Sequence, residues 1–344
     1  MKKLDTCIIF GGKSSEHEVS LRSAYSILNA IDTEKFNALP IGITKSGAWY
    51  FYLGDYDLIP SGEWEGSNAK IPVCFDFCAG ALLSGARAVK PDIVFPAMHG
   101  ENGEDGRLQA LFDLLHIKYV GCDALCSALC FDKRLTKERA RKCGVEVASD
   151  VVVSKDDLDD FFRLILKVNK LSYPVFVKPC ACGSSVGVSK VEAPCKLLDA
   201  VKNALKYSPY AIIEEQILGI ECEIGVLESH DRLILSKIGQ ISHTAAFYDY
   251  EAKYAFCDTG CVIPAKISEE SQDKIKEYTY TLWRALGCSG LSRFDFFVQE
   301  NGRVIFNEVN TMPGFTDSSM YPLLFKEKDY SMKDLVTALL EFKQ

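Results

Sequence analysis

Short apolar runs alternate with amphipathic segments along most of this sequence, and that alternation limits the chain to few architectures. Runs such as Thr6–Phe10 and Asp92–Phe95 have the length of buried strands, whereas Glu269–Leu286 has helical spacing. Such alternation is typical of α/β proteins with mostly parallel strands. We predict an α/β fold with some α+β character, because Leu291–Val298 and Arg303–Val309 suit an antiparallel hairpin around residues 300–302.

The length of 344 residues exceeds what one hydrophobic core usually spans. We predict an N-terminal α/β domain over residues 1–121, with an insertion over about 44–90 where periodicity is weak. Residues 122–210 would form a central domain and residues 211–344 a C-terminal domain. A stretch without periodicity, at about 242–260, is expected to be a loop of the C-terminal domain.

Charge and hydropathy exclude two classes of partner. The formal net charge of −8 leaves no excess of positive charge to neutralise a nucleic-acid backbone. No apolar run approaches the roughly 18 residues that a membrane-spanning helix needs. We therefore expect neither nucleic acid nor a membrane as a partner.

The fourteen cysteines include no Cys-x-x-Cys pair. Cys122, Cys126 and Cys130 recur at a spacing that places them on one buried stripe of a helix. The pattern favours small apolar residues in a reducing compartment over a metal site or a disulfide framework. We therefore expect a cytoplasmic protein.

A loop rich in glycine and serine follows the predicted strand that ends at Lys178. Its backbone N–H groups and hydroxyls, from residues 183–187, suit a polyphosphate. The same residues also fit the G-x-S-x-G pattern of serine hydrolases, with Ser185 as nucleophile. That pattern requires a strand directly before and a helix directly after, whereas residues 188–191 alternate like a strand. Serine hydrolase therefore remains the alternative from another class, and a plain surface hairpin is the simplest interpretation.

Two carboxylates and an amide are predicted to converge on the last hairpin. Alternation places Arg293 and Asp295 on one face of the first strand, and Glu308 and Asn310 on one face of the second. Hard oxygen ligands of this kind suit Mg²⁺ held together with nucleotide phosphates. A solvent-facing charged ladder is the alternative. It is disfavoured by the apolar residues predicted on the opposite face, namely Phe294, Phe296, Phe306 and Val309.

Three further segments have the composition of ligand-binding loops. Residues 11–20 and 99–106 are predicted turns at the carboxyl ends of strands, where open α/β sheets bind ligands. Residues 247–254 combine three tyrosines with charges at no regular period, which suits a lid ordered by a ligand. Taken alone, each segment is equally compatible with an ordinary loop.

Taken in this order, the five segments resemble the D-alanine:D-alanine ligase family of ATP-grasp enzymes, over Gly11–Pro322. The resemblance implies a Rossmann-like parallel N-terminal domain and two further domains that hold ATP between antiparallel sheets. It implies ATP and two Mg²⁺ ions, with Mn²⁺ able to substitute, and formation of D-Ala-D-Ala for peptidoglycan through D-alanyl phosphate. It also implies a homodimer with D-alanine and ATP as its small-molecule partners.

The resemblance assigns roles to residues of this sequence. Contacts to ATP are implied for Lys133, Lys178, Ser184, Ser185, Glu214, Glu215, Gln216, Ile217, Glu221 and Lys253. Metal binding is implied for Asp295, Glu308 and Asn310. Catalytic roles are implied for Glu16, Ser184, Tyr254, Arg293 and Ser319, and substrate contacts for His99, Gly314, Ser319 and Met320. In particular, Glu16 would hold the ammonium of the first D-alanine.

The second substrate leaves an alternative open. Apolar Met320 beside Ser319 favours D-alanine, because a serine hydroxyl left unpaired against it would lose affinity, and Tyr254 favours an amine nucleophile. The insertion at 44–90 and the stretch 41–44 nevertheless resemble D-Ala-D-Ser ligases of the glycopeptide-resistance type. A protein that binds nucleotide without turnover is a further alternative. The base that deprotonates the second amine is not identified by the sequence.

Overall fold

The computed structural model describes residues 2–85, 87–229, 232–241 and 260–342, and its mixed helices and sheets confirm the α/β class. The first part of the chain forms β1 (Leu4–Gly11), α1 (His17–Ala30), β2 (Phe36–Ile43), β3 (Trp49–Tyr52), β4 (Lys70–Pro72), β5 (Cys74–Asp76), β6 (Ala81–Ser84), β7 (Arg87–Val89), β8 (Ile93–Pro96) and α2 (Arg107–Leu114). One sheet has the order β4-β3-β2-β1-β8, and β5-β6-β7 form a second.

The first sheet has a parallel centre, as expected for the N-terminal domain, and antiparallel additions from the predicted insertion. Strand β1 runs parallel to β2 and β8, but β3 and β4 are antiparallel additions at one edge. The connection from β2 to β3 is a tight turn in which Gly47 has φ of 90°, and so short a connection can join only antiparallel strands. Strands β3–β7 lie in the insertion, where three or four residues per strand are too few for a visible alternation.

The middle of the chain forms an antiparallel sheet flanked by helices. Its elements are α3 (Ala124–Phe131), α4 (Lys133–Lys142), β9 (Asp150–Ser154), α5 (Phe161–Val168), β10 (Val175–Pro179), β11 (Ser189–Val191), α6 (Leu197–Ala204) and β12 (Tyr210–Glu215), with strand order β11-β10-β12-β9. Before α5, Lys155–Leu158 form a short 3₁₀ turn. The helix begins after Asp160, whose carboxylate accepts a hydrogen bond from the N–H of Arg163 and caps α5.

The last part contributes a five-stranded antiparallel sheet and three helices within the described residues. Its elements are β13 (Ile220–Ser229), β14 (Arg232–Ile241), β15 (Cys261–Val262), α7 (Glu269–Leu286), β16 (Leu291–Val298), β17 (Val304–Asn310), α8 (Met320–Lys326) and α9 (Met332–Phe342), with strand order β15-β14-β13-β16-β17. None of the helices described combines the length and the apolar character that crossing a bilayer requires. The predicted lid residues 242–259 lie outside the described residues.

An aromatic core fixes the hairpin of β16 and β17. Phe294, Phe296 and Phe306 are fully buried, and their ring centroids lie 5.6–6.5 Å apart where they meet. Because side chains alternate along a strand, this packing turns the polar residues of the hairpin to the opposite face. The predicted apolar face is therefore confirmed, together with the hairpin itself.

Candidate active site

A cavity of about 1020 Å³ lies against the sheets β11-β10-β12-β9 and β15-β14-β13-β16-β17 and against the carboxyl end of the first sheet. Its lining includes every predicted site residue that the structure describes: Glu16, His99, Lys133, Lys178, Ser184, Ser185, Glu214, Glu215, Gln216, Ile217, Glu221, Arg293, Asp295, Glu308, Asn310, Gly314, Ser319 and Met320. The remaining two, Lys253 and Tyr254, lie outside the described residues. Segments far apart in the sequence thus meet at one site.

The carboxylates of the hairpin face each other because of a β-bulge. Beyond Phe296, which pairs with Phe306, the register shifts so that Asp295 lies opposite Glu308 and Arg293 lies opposite Asn310. One extra residue, Asn307, is accommodated at this irregularity. Alternation predicted the faces of these residues, but the register that makes Glu308 the partner of Asp295 depends on the bulge.

Arg293 is held by two carboxylates in the described structure. Its Nε and Nη2 donate to the two oxygens of Asp295, each over 2.8 Å, and its Nε lies 3.0 Å from Glu223 Oε2. Burial raises the pKa of Asp295 to about 6, although the guanidinium opposes that shift. With Glu308 also nearby, three carboxylates lie near this one guanidinium, so negative charge is in excess.

The donor set of the hairpin fits a divalent cation. Asp295 and Glu308 offer carboxylate oxygens, and the amide of Asn310 lies beside them, with Nδ2 3.3 Å from Asp295 Oδ2. The donors include no imidazole or thiolate, which is the chemistry that Mg²⁺ or Mn²⁺ selects. The raised pKa of Asp295 indicates that a further positive charge would stabilise its ionised form.

Three lysines line the neighbouring part of the cavity. Lys133 Nζ lies 3.3 Å from Glu308 Oε2 and donates to the Cys182 carbonyl over 3.1 Å. Lys178 Nζ lies 2.7 Å from Glu214 Oε2, and Lys137, which is almost fully buried, pairs with the other oxygen of Glu214. Burial alone would raise the pKa of Glu214, but the two lysines lower it to about 2.

The loop of residues 183–186, rich in glycine and serine, lines the cavity in an unusual backbone conformation. Ser184 and Ser185 have φ of 50° and 58°, a left-handed region that few residues with side chains adopt. Two turns hold it: the N–H of Val186 donates to the Gly183 carbonyl, and that of Val188 donates to the Ser185 carbonyl. Strand β11 follows and pairs with β10. The strand–turn–helix context of a nucleophile elbow is therefore missing, and the serine hydrolase interpretation is wrong.

Glu16 lies where three loops approach closely. Its side chain is buried, and its N–H donates to Ser14 Oγ over 3.0 Å. A Cβ added to Gly100 would lie 2.3 Å from Glu16 Oε2, and one added to Gly183 would lie 2.6 Å from the same oxygen. The absence of a Cβ at Gly100 and Gly183 therefore leaves room for the Glu16 carboxylate between these two loops.

His99 is oriented by both ring nitrogens. Its Nε2 lies 2.9 Å from Ser23 Oγ, and its Nδ1 lies 3.0 Å from the Met312 carbonyl and 3.8 Å from Glu104 Oε1. Burial raises the pKa of Glu104 to about 7 despite the nearby imidazole. Burial opposes protonation of His99, yet Glu104 and Glu16 raise its pKa. The pKa values of His99 and Glu104 are therefore both raised, and each depends on the charge of the other group.

The far end of the cavity is built by the segment before α8. Ser319 Oγ lies 2.7 Å from Thr316 Oγ1 and accepts a hydrogen bond from the N–H of Thr316. A Cβ on Gly314 would lie 2.7 Å from Ser319 Oγ, so the glycine leaves that hydroxyl accessible. The methyl group of Met320 packs closely against Gly239: a Cβ added to Gly239 would lie 2.6 Å from Met320 Cε.

Two family models match this chain in consecutive order. The model described as "D-ala D-ala ligase N-terminus" matches residues 5–122, and the one described as "D-ala D-ala ligase C-terminus" matches residues 140–341. The chain belongs to the D-alanine–D-alanine ligase family. This family consists of ATP-dependent ligases, so membership implies ATP and a divalent metal.

Known proteins are similar to this chain over nearly its whole length. A D-alanine–D-alanine ligase of Acetivibrio thermocellus is 43% identical, covering 97% of this chain and 94% of the relative. Among solved structures, the VanG D-Ala:D-Ser ligase from Enterococcus faecalis has a TM-score of 0.91 at 38% identity, covering 100% of both chains. A D-alanine–D-alanine ligase from Coxiella burnetii has a TM-score of 0.87 at 31% identity, covering 100% of this chain and 94% of that one. These likenesses confirm the ATP-grasp fold.

Three cavity residues of this family member were missed by the sequence reasoning: Glu104, Lys137 and Glu223. Glu104 lies in the same turn as His99, and Lys137 lies one helical turn after Lys133 on α4. Helical spacing could have found Lys137, and strand alternation from Glu221 could have found Glu223. Nothing in the sequence indicates that Glu104 would be largely shielded from water beside His99.

Proposed function

We propose that this chain joins two D-alanine molecules into D-Ala-D-Ala, using ATP and forming D-alanyl phosphate on the way. The observation that carries the proposal is one cavity that combines paired lysines, a metal-binding carboxylate pair and a buried carboxylate beside a histidine. An anionic polyphosphate, a divalent ion and an ammonium group each have a complementary partner there.

The phosphate side of the cavity orients and neutralises charge. Lys133 and Lys178 present ammonium groups to the phosphates, and the loop containing Ser184 adds N–H donors. Asp295, Glu308 and Asn310 would hold two Mg²⁺ ions, for which Mn²⁺ could substitute. Bound there, the metal supplies Lewis-acid charge neutralisation on the transferring phosphoryl group.

In the first step, a carboxylate oxygen of the first D-alanine bonds to the γ-phosphorus while the bond to the bridging oxygen breaks and ADP leaves. Glu16 holds the ammonium of this D-alanine, and His99 faces its carboxylate. Arg293 lies beside the metal-binding carboxylates, where it stabilises negative charge on the phosphoryl oxygens. Exclusion of water protects the acyl phosphate from hydrolysis.

In the second step, the amine of the second D-alanine attacks the carbonyl carbon and phosphate leaves. The amine loses a proton in forming the peptide bond. Ser319 and Gly314 bound the end of the cavity where the second carboxylate would bind. Arg293 would also stabilise the oxyanion of the tetrahedral intermediate.

Phosphate release tests the proposal. The purified chain is supplied with ATP, Mg²⁺ and D-alanine, and the product is identified by mass. We expect one phosphate released per D-Ala-D-Ala formed, with no release when L-alanine replaces D-alanine. Absence of dipeptide with every pair of D-amino acids would refute the ligase. Sedimentation of the same sample tests the homodimer that the family resemblance supports.

A D-Ala-D-Ser ligase is the second candidate, favoured by the TM-score of 0.91 to the VanG D-Ala:D-Ser ligase. Against it, Met320 offers no hydrogen bond to a serine hydroxyl at the end of the cavity. Equal concentrations of D-serine and D-alanine, with the two dipeptides weighed by mass, decide between the candidates. A product that is mainly D-Ala-D-Ser would favour the second candidate.

A further inference from the structure

Four cysteine sulfurs meet in the apolar core behind β16, outside the cavity of the proposed function except for the edge at Cys130. Cys122, Cys126, Cys130 and Cys288 are all buried. Cys126 Sγ lies 3.8 Å from both Cys130 Sγ and Cys288 Sγ. The sulfurs of Cys122, Cys126 and Cys288 all lie within 4.8 Å of one another. These separations are far longer than the roughly 2 Å of a disulfide bond, so the four residues are separate thiols.

Three of the sulfurs, those of Cys122, Cys126 and Cys288, lie close enough together to share one ion. A tetrahedral Zn²⁺ with Zn–S bonds of about 2.3 Å places its sulfurs about 3.8 Å apart. The two shortest separations in the cluster have this value. An all-thiolate donor set selects Zn²⁺ over the hard cations that suit the carboxylates of the hairpin. Sulfurs this close leave space for a single ion rather than a cluster of several.

Cys122 Sγ lies among both acceptors and donors: its thiol donates to the carbonyls of Ser289 and Leu291, over 3.6 and 3.9 Å, and would exchange these bonds for the ion. The N–H of Ser289 points at Cys122 Sγ over 3.4 Å, and Ser292 Oγ lies 3.7 Å from the same sulfur. Backbone donors of this kind orient and stabilise metal-bound thiolates. Cys126 occupies the first turn of α3, where the helix dipole favours negative charge.

The sequence pattern alone did not suggest this arrangement. Cys122 precedes α3 rather than lying on it, while Cys126 and Cys130 are one turn apart on the helix. The fourth sulfur comes from Cys288, in the loop between α7 and β16, which no local spacing connects with the other three. The three cysteines expected on one stripe of a helix therefore lie next to a fourth, Cys288, which the fold brings to them.

We propose that Cys122, Cys126 and Cys288, with Cys130 beside Cys126 as the fourth thiol, bind one Zn²⁺ ion with a structural role. Binding exchanges thiol protons for the ion and releases them to solvent, so no oxidation state changes. The ion would join the start of α3 to the loop that leads into β16. Because β16 carries Arg293 and α4 begins at Lys133 directly after α3, the ion would fix two parts of the cavity relative to each other.

Metal analysis tests the proposal on the full-length chain, expressed with added zinc and dialysed before measurement. We expect about one zinc per chain in the wild type, and a loss of at least tenfold in Cys126→Ser and Cys288→Ser. Cys222→Ser is the matched control, because Cys222 is fully buried in the same apolar core but outside the cluster. It should keep its zinc.

Several results would overturn the proposal. They are wild-type zinc below about a tenth of an equivalent, iron in its place, or equal losses in Cys222→Ser and the cluster variants. A measurement on the wild type alone guards against variants that fail to fold. Co²⁺ exchanged into the protein should give the intense visible bands of a tetrahedral thiolate site, and four thiols should resist alkylation until a chelator is added. Absence of the bands, or a mass showing a disulfide among the four cysteines, would also refute the site.

Discussion

Removing Lys137 should destabilise the protein more than any exposed lysine does. Lys137 and Glu214 are both almost fully buried, and Lys178 is the second partner of Glu214, at 2.7 Å. The lysines lower the pKa of Glu214 from 4.5 to about 2, but burial also lowers the pKa of Lys137, so the pair stabilises the fold by less than the shift of Glu214 alone indicates. Breaking a buried pair leaves an uncompensated charge and typically costs about 3–5 kcal/mol. Since Lys178 remains, we expect Lys137→Met to cost about 3 kcal/mol, at the lower end of that range.

Urea unfolding at pH 7, followed by circular dichroism, measures this loss. The double variant Lys137→Met with Glu214→Gln should be more stable than the sum of the single losses predicts, because neither charge is then left alone. Lys142→Met is the matched control on the same helix: Lys142 pairs with Glu138 at the surface, where water screens the pair. Its unfolding midpoint should barely change.

The pH dependence follows from the same pair. A carboxyl whose pKa is lowered in the folded state contributes stability that is complete above its unfolded value of 4.5 and is lost as the pH falls toward about 2. The wild type should therefore lose this contribution between these pH values, and the double variant should not. Additive losses in the double variant, or a Lys137→Met variant as stable as Lys142→Met, would refute the reasoning.

Three further predictions concern turnover. Glu308→Gln should lower kcat at least a hundredfold, because it removes a carboxylate ligand of the metal, and near-normal phosphate release would exclude Glu308 from that role. Glu104→Gln should remove an inflection near pH 7 from kcat/KM for D-alanine, since burial raises the pKa of Glu104 to about 7; an unchanged profile would contradict this. Gly183→Ala should raise KM for D-alanine more than KM for ATP, because the added Cβ would lie 2.6 Å from Glu16 Oε2. Equal changes in both KM values would contradict that placement.

Elements with strong local signals were predictable from the sequence. Helix α7 was predicted with both bounds correct, because Ser268 caps its start and Gly287, with φ of 74°, ends it. Strand β16 was also predicted with both bounds correct, since its apolar alternation is long. The short strands β5–β7 were not predicted, because three or four residues give too little periodicity and their pairing is decided by tertiary contacts.

Residues of the candidate site could be predicted only where they belong to a recognisable sequence motif. Residues such as Glu16 and Asp295 were predicted as site residues from the composition of their loops and strands, and they line the same cavity. Lys137 and Glu223 belong to the site through burial and through the charges opposite them, which depend on how separate segments pack. The bulge that sets Glu308 opposite Asp295 is likewise a property of the paired strands and not of either strand alone.

Asp295 and Glu308, the carboxylates suited to a metal, also form ion pairs with Arg293 and Lys133, the cations suited to phosphate. Glu308 lies 3.3 Å from Lys133 Nζ, and Asp295 binds both ends of the Arg293 guanidinium fork. Without a metal, these attractions oppose phosphate binding, because a phosphate must displace a carboxylate from each cation. A divalent ion bound by Asp295 and Glu308 weakens that competition and so strengthens the attraction of Lys133 and Arg293 for phosphate. By linkage, phosphate bound first must raise the affinity for the ion by the same factor. The pairing of charges therefore explains how a chain with a net charge of −8 can bind a polyphosphate, and why it should bind the polyphosphate together with a metal.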